Sequence, residues 1–121
     1  MHWQISSDAP IYAQLIEQIT VNIVSGGVPP GGRIPSVREL AAEAGVNPNT
    51  MQRALTELEH EGLLISNGTL GRFVTDDSRI IDAMHQKAIA QAVRISAEHF
   101  KALGLSMEEA GRLISCYKEE N

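Results

Sequence analysis

The sequence predicts a mainly α fold with one small β-hairpin, in which a winged helix-turn-helix is followed by a C-terminal helical dimerisation hairpin. Three observations predict it. Two capped helix starts, at Ser36 and Asn47, lie on either side of Gly45. An Asn67-Gly68 pair separates two apolar runs shortly afterwards. From Ser78 a long helical pattern runs to Gly104, and another capped start follows at Ser106. The expected division is a first unit over residues 1–76 and a tail over 77–121.

Taken in order, Trp3-Gln4-Ile5 alternates weakly and reads as a short strand, with Trp3 a packing residue. Asp8-Ala9-Pro10 then opens a helix, the aspartate capping and the proline standing where no N–H is needed. Ile11, Leu15, Ile16, Ile19 and Ile23 recur at helical spacing and give it one buried face. Gly26-Gly27 ends the helix, and Val28-Pro29-Pro30-Gly31-Gly32 is a turn-rich connector. Ser36-Val37-Arg38-Glu39 has the spacing of a capping box, in which serine and glutamate each satisfy a free N–H at the helix start. Leu40, Ala41 and Ala44 face inward, and Gly45 supplies a left-handed stop. One residue later Asn47-Pro48 starts another helix, with Val46 and Met51 placed to clamp its entry. Two helices joined by so tight a turn must cross steeply, which is helix-turn-helix geometry.

The second of these helices, near 47–61, divides into two faces. Met51, Ala54, Leu55 and Leu58 share the core side, while Asn49, Gln52, Arg53 and Thr56 lie opposite at i, i+3, i+4, i+7. That outer set carries amide, guanidinium and hydroxyl groups and no carboxylate; Glu57, Glu59 and Glu61 gather toward the C-terminal half. A helix entering a DNA major groove by its N-terminal end needs this polarity. Leu63-Leu64-Ile65, a turn at Ser66-Asn67-Gly68-Thr69, and Arg72-Phe73-Val74 then read as a hairpin, the wing.

In the tail, Ser78 is placed to cap a helix reaching about Leu103. Ile81, Met84, Ala88, Ala92, Ile95 and His99 trace its apolar stripe, with Phe100 and Leu103 beside its end. Ser106 and Glu109 repeat the capping box before a last helix with Met107, Ala110, Leu113, Ile114 and Tyr117 apolar. Two helices cannot enclose their own stripes, so a second copy of residues 78–118 is the expected partner.

Bulk properties narrow the class. With 43% hydrophobic residues in 121, a packed core is feasible and global disorder is excluded. No apolar run approaches the roughly 20 residues that cross a bilayer, so no membrane partner is expected. Met1-His2-Trp3-Gln4-Ile5 lacks the basic start and apolar stretch of a signal peptide, and the single Cys116 fits a reducing compartment; the expected location is cytoplasmic. Cys116 itself is expected to be a small buried or interfacial apolar residue.

Charge runs against nucleic-acid binding. The net charge is -5, and residues 1–77 carry nine Asp/Glu and four Arg, which is the whole deficit; residues 78–121 carry six of each sign. Any DNA role must therefore rest on where Arg33, Arg38, Arg53 and Arg72 stand.

The residues resemble a known family. Pro10-Ile11-Tyr12-Ala13-Gln14-Leu15, Pro30-Gly31 and Ile34-Pro35-Ser36-Val37-Arg38-Glu39-Leu40-Ala41 are similar to the DNA-binding domain of GntR-type regulators. So are Gly45-Val46-Asn47-Pro48-Asn49-Thr50, Arg53-Ala54-Leu55, and Leu58-Glu59 with Glu61-Gly62-Leu63, the match covering roughly residues 8–75 in order and spacing. The short two-helix tail resembles the YtrA-like branch. The resemblance implies a homodimeric repressor on a two-fold-related double-stranded DNA operator, with GT…AC half-sites common in the family. It places the motif arginines at Arg38 and Arg53 and the polar helix start at Asn47, Asn49 and Thr50. The candidate DNA-contact set is Ser36, Arg38, Asn47, Asn49, Thr50, Gln52, Arg53, Gly71 and Arg72. Family wings usually carry a basic residue between two glycines, whereas Thr69-Leu70-Gly71-Arg72 has leucine there, which leaves Arg72 to take over a minor-groove role. A small-molecule effector of unknown identity is a further candidate partner, sited in the tail, the dimer interface or the wing domain.

Competing readings are specific. Arg38 has Glu39 and Glu43 within reach, Arg53 has Glu57 at i+4, and Arg33 is placed equally for phosphate or for solvent. Asp82, His85 and His99 suggest a metal, but they spread over about 25 Å of helix at 1.5 Å per residue, and zinc needs three or four convergent ligands. No metal or cofactor is expected. No nucleophile with its base, paired carboxylates or phosphate-binding glycine loop is present, so no enzyme is expected. The acidic balance of residues 1–77 supports one alternative, a winged helix used to grip a basic protein.

The same acidity generates a quantitative expectation. Few cations are available to displace counterions, so the log–log dependence of DNA affinity on salt should be shallow. Titrations across a salt series would contradict this if the slope reached that of a protein making about ten phosphate contacts.

Overall fold

The helix from Pro48 to His60 organises the chain because its inner side is apolar at every turn. Met51, Ala54, Leu55 and Leu58 are all fully buried. The computed structural model describes residues 1–119. Its elements are α1 (Ile11–Val24), α2 (Val37–Ala44), α3 (Pro48–His60), β1 (Leu64–Ser66), a 3-10 turn (Gly68–Leu70), β2 (Arg72–Val74), α4 (Ser78–Ala102) and α5 (Met107–Ser115). Helix α3 packs on α1, α2 and β1, so the core lies around its inner face.

Each boundary has a local cause. Helix α1 begins one residue later than the sequence suggests. Pro10 is the N-cap rather than the first helical residue, and no side chain caps the helix, so Asp8 does not perform that role. Leu15, Ile19, Thr20 and Ile23 are its buried positions, while Ile11 is exposed. The expected strand at Trp3–Ile5 is absent. Glutamine side chains on α1 take the place of a strand partner. Gln18 accepts the Gln4 N–H at 2.9 Å and donates to the Gln4 carbonyl at 2.8 Å. Gln14 accepts from the Ser6 N–H and donates to the Ser6 and Ala9 carbonyls, each at 2.8 Å. Trp3 packs on the core as expected.

Helix α2 starts where Ser36 accepts the Glu39 N–H at 3.2 Å. Only half of the expected box forms: the Glu39 carboxylate accepts from the Ser36 hydroxyl at 3.1 Å and does not reach the Ser36 N–H. Gly45, at φ +69°, closes the helix in the left-handed region, where a Cβ would be strained. Asn47 then caps α3 by accepting the Asn49 N–H at 2.8 Å.

In the wing the second strand falls where expected and the first begins one residue later. Strands β1 and β2 are antiparallel, with Leu64 opposite Val74 and Ser66 opposite Arg72. The connection is the five residues Asn67–Gly71, tightened by the 3-10 turn, rather than a turn over Ser66–Thr69. The connector before α2 runs along β2. Gly31 donates to Val74 (2.9 Å), Val74 to Gly32 (2.8 Å) and Ile34 to Arg72 (3.0 Å), and Arg33 pairs with Phe73 in a single antiparallel bridge.

The chain forms two compact units, Met1–His85 and Gln86–Asn121. The first extends past the expected boundary at residue 76 because Ile80, Ile81 and Met84, on the first turns of α4, pack against the core. Helix α4 is capped by Asp77 and not by Ser78, which is already helical; the Asp77 carboxylate accepts the Arg79 N–H at 3.0 Å. The Arg79 guanidinium beside Asp77 holds that carboxyl below its ordinary value.

In the second unit, Ser106 and Glu109 form the complete capping box at the start of α5. Ala92, Val93, Ala97 and Phe100 of α4 line a cleft with Met107, Ala110 and Ile114 of α5, so of the expected positions Ala92 and Phe100 face α5, whereas Ile95 and His99 do not line this cleft. Cys116 is exposed in the single chain. No helix among the described residues is long and apolar enough to cross a membrane.

Truncating the core side of α3 tests this architecture. Leu55→Ala should cost about 2–5 kcal/mol, from the transfer energy forfeited plus a cavity. Urea unfolding measures it; a loss under about 1 kcal/mol would show that the site collapses without cost.

Candidate nucleic-acid interface

The outer side of α3 follows from its inner side. With Met51, Ala54, Leu55 and Leu58 committed to the core, Asn49, Gln52 and Arg53 are left exposed and Thr56 half-exposed. Thr56 Oγ1 donates to the Gln52 carbonyl at 2.9 Å, and Gln52 Nε2 approaches Thr56 Oγ1 at 3.4 Å, which stacks the two along one stripe. In the N-terminal turn Pro48 has no N–H and Asn49 donates its own to Asn47, which leaves the Thr50 N–H for a ligand. The caps use two of the candidate side chains. Asn47 commits its amide oxygen to Asn49, and Ser36 commits its hydroxyl to Glu39.

The arginines separate by what they touch. Among the described residues the ion pairs are His60–Glu57, Arg72–Glu59, Arg79–Asp77 and Arg94–Glu98. Arg38 is exposed and in none of them, so neither Glu39 nor Glu43 claims it. Arg53 does not bridge to Glu57. Its guanidinium lies over the Tyr12 ring of α1, 4.8 Å from the centroid, a cation–π contact that restricts it while leaving the charge free. Arg72 behaves differently. Its Nε donates to Glu59 Oε1, with side chains only 18% and 24% exposed, so this ion pair ties the wing to α3. The charge that the sequence left available for a minor groove is thereby taken up inside the unit.

Arg33 occupies a place the sequence did not resolve. A Cβ built on Gly71 would meet Arg33 Nε at 3.1 Å, so the Arg33 side chain crosses the wing at that glycine. Gly71 also has φ +112°, a conformation that other residues rarely adopt. Arg33, Ser36, Arg38, Ser66, Gly68 and Gly71 line an open groove of about 440 Å³ between the start of α2 and the wing. At the wing tip Leu70 is 61% exposed. Tyr12 was not legible as part of the site, and for Arg33 the sequence left phosphate and solvent equally open. Tyr12 lies 41 residues from Arg53 in sequence, and Arg33 meets the wing only through the Arg33–Phe73 pairing.

The family model for bacterial regulatory proteins of the gntR family matches residues 11–74, more than half of the chain. The chain belongs to the GntR family. It is similar to the HTH-type transcriptional regulator YhcF of Bacillus subtilis, 34% identical over 116 residues that cover 96% of each chain. The HTH-type transcriptional repressor YtrA of the same organism is 38% identical over 60% of this chain and 56% of its own. A GntR family transcriptional regulator from Listeria monocytogenes has a similar structure, with TM-score 0.84 and 30% identity over 94% of this chain and all of that one. AraR(DBD), solved in complex with operator ORX1, superposes with TM-score 0.54 at 34% identity over 62% of this chain and 92% of its own. This GntR-family protein is a YtrA-like winged helix-turn-helix regulator of transcription.

The Arg72–Glu59 pair makes the interface testable by stability alone. In a double-mutant cycle with Arg72→Ala and Glu59→Ala, the coupling should be about 0.5–3 kcal/mol, as for residues in direct contact. Thermal unfolding of the four proteins measures it, and strict additivity would remove the pair as the wing's tether.

Proposed function

We propose that this protein is a homodimeric transcriptional repressor that binds a two-fold-related DNA operator through the α2–α3 face. The carrying observation is that Arg38 and Arg53 are exposed and outside every ion pair among the described residues, beside an α3 face whose first two turns hold no carboxylate. In this reading α3 enters the major groove by its N-terminal end. Thr50 presents its backbone N–H to phosphate, since Pro48 has none and Asn49 donates its own to the Asn47 cap. Gln52 and Arg53 face base edges, and Arg38 takes a guanine or a phosphate near the start of α2. Ser36 and Asn47 act as caps that hold those helix starts in place. The AraR(DBD) complex with its operator supports DNA as the ligand of this fold.

Dimerisation through residues 78–118 is supported by what the second unit leaves uncovered. Val93 is 64% exposed, Ile114 57% and Tyr117 73%, and Ala110 is the sole buried residue of α5. A unit this small cannot shield such side chains alone, and a second copy offers the matching surface. A small-molecule effector would find its apolar setting in the cleft of about 330 Å³ between α4 and α5. The reading as a grip for a basic protein loses support because the first two turns of α3 hold no carboxylate, and Glu59 is already engaged with Arg72.

Selection from a random duplex pool with the purified protein tests the function. The expected product is a two-fold-related motif, with Arg38→Ala and Arg53→Ala each costing about 1–3 kcal/mol on the selected duplex. Sedimentation should give a dimer. No enrichment at low salt by folded protein, or a stable monomer at micromolar concentration, would overturn the reading.

A further inference from the structure

We propose that Arg33 is a DNA-contacting residue, the cation that the wing itself lacks, and that it neutralises backbone phosphate where the wing meets the duplex. The proposal rests on the operator-binding reading above and adds a residue to it.

The wing's own chemistry creates the need. Residues 64–74 contain one basic side chain, Arg72, and Glu59 holds it against α3. The exposed remainder of the loop, Ser66–Leu70, carries no charge. On its own residues the wing would meet a polyanion with no counter-charge, in a unit whose first 77 residues already total -5. Close approach would then cost desolvation and repulsion with nothing to offset them.

The connector supplies what the hairpin does not. Gly31–Ile34 runs along β2, fixed by the Gly31–Val74, Val74–Gly32 and Ile34–Arg72 hydrogen bonds and by the Arg33–Phe73 bridge. Side chains alternate faces in such a segment, so with Ile34 buried in the core Arg33 must point outward. Its guanidinium passes over Gly71, with Nε 3.1 Å and Nη2 3.5 Å from where a Cβ would sit. Glycine at 71 thus does two things: it reaches φ +112°, and it clears the path Arg33 occupies. The side chain lies in the groove it shares with Arg38 and with Arg72, whose charge Glu59 holds, so Arg33 and Arg38 are the two cations along it outside any ion pair among the described residues. Arg33 is in none of the ion pairs among the described residues, and its charge is uncompensated.

A phosphate partner for Arg33 predicts a signature that a structural role lacks. Removing one cation from a phosphate lowers the log–log salt slope by about 1, and a dimer carries two copies of Arg33. Operator affinity of the wild type, Arg33→Gln, Arg33→Ala and Arg33→Lys should be measured across a salt series by fluorescence anisotropy. Thermal unfolding of each would establish that it is folded. The glutamine and alanine variants should bind roughly tenfold or more weakly at low salt, equally on operator and unrelated duplex, with the slope reduced by about 2 per dimer. The lysine variant should keep the slope. Weaker binding with an unchanged slope would make Arg33 a support for Gly71 and overturn the proposal, as would wild-type affinity in the glutamine variant. A wild type that binds no DNA under any salt would overturn the operator reading itself, an outcome distinct from a wild type that binds and an Arg33 variant that binds equally.

Discussion

The winged unit depends on one constraint, the rotation of α3 about its own axis. Four apolar side chains at i, i+3, i+4 and i+7 are fully buried against α1, α2 and β1. Burying Met51, Leu55 and Leu58 contributes about 1.5–3 kcal/mol each, so turning the helix by even one position would cost more than a polar contact returns. The outer face is therefore a consequence of the core. Asn49, Gln52 and Arg53 are presented because their neighbours are hidden, and no hydrogen bond from the core is needed to aim them. The two caps complete the arrangement by fixing where each helix starts, and a start is where its unpaired N–H groups are concentrated.

With the outer face set in this way, the acidity of the unit loses its force as an objection to DNA binding. Its four arginines have different surroundings, and position decides their use. Arg72 is internal, joining β2 to α3 through Glu59. Arg53 is external but restrained by the Tyr12 ring, which lowers the entropy cost of the base contact proposed for it. Arg38 is free at the start of α2, and Arg33 lies along the wing. Net charge describes long-range attraction, whereas these placements describe contact.

Most of the fold could be read from residue patterns. The Gly45 stop, the Asn47 cap and the two-faced α3 follow from local rules, and the structure places each where those rules put it. Misplaced elements share a cause: a partner distant in sequence overrides the local signal. Trp3–Ile5 forms no strand because Gln14 and Gln18, on the following helix, satisfy the adjoining backbone. The first unit extends into α4 because Ile80, Ile81 and Met84 find the core. At the candidate interface, sequence supplied the α3 face and Arg38 but not the fates of the other arginines. Pairing with Glu59, stacking on Tyr12 and crossing Gly71 all depend on which elements become neighbours. Helical periodicity carries no information about that.

The glutamine clasps on the N-terminal segment have a consequence of a different kind. Gln14 and Gln18 hold the Gln4–Ala9 stretch to α1 through neutral amides, which neither titrate nor gather counterions. The proposed DNA face, by contrast, works through guanidinium groups whose hold on a polyanion weakens as ions accumulate. A cell that loses water to a saltier surrounding would thus loosen the regulator from its operator while leaving this seam of the protein closed. Attachment within the molecule and attachment to its target answer to different physical variables, and an ionic shock would address only the second.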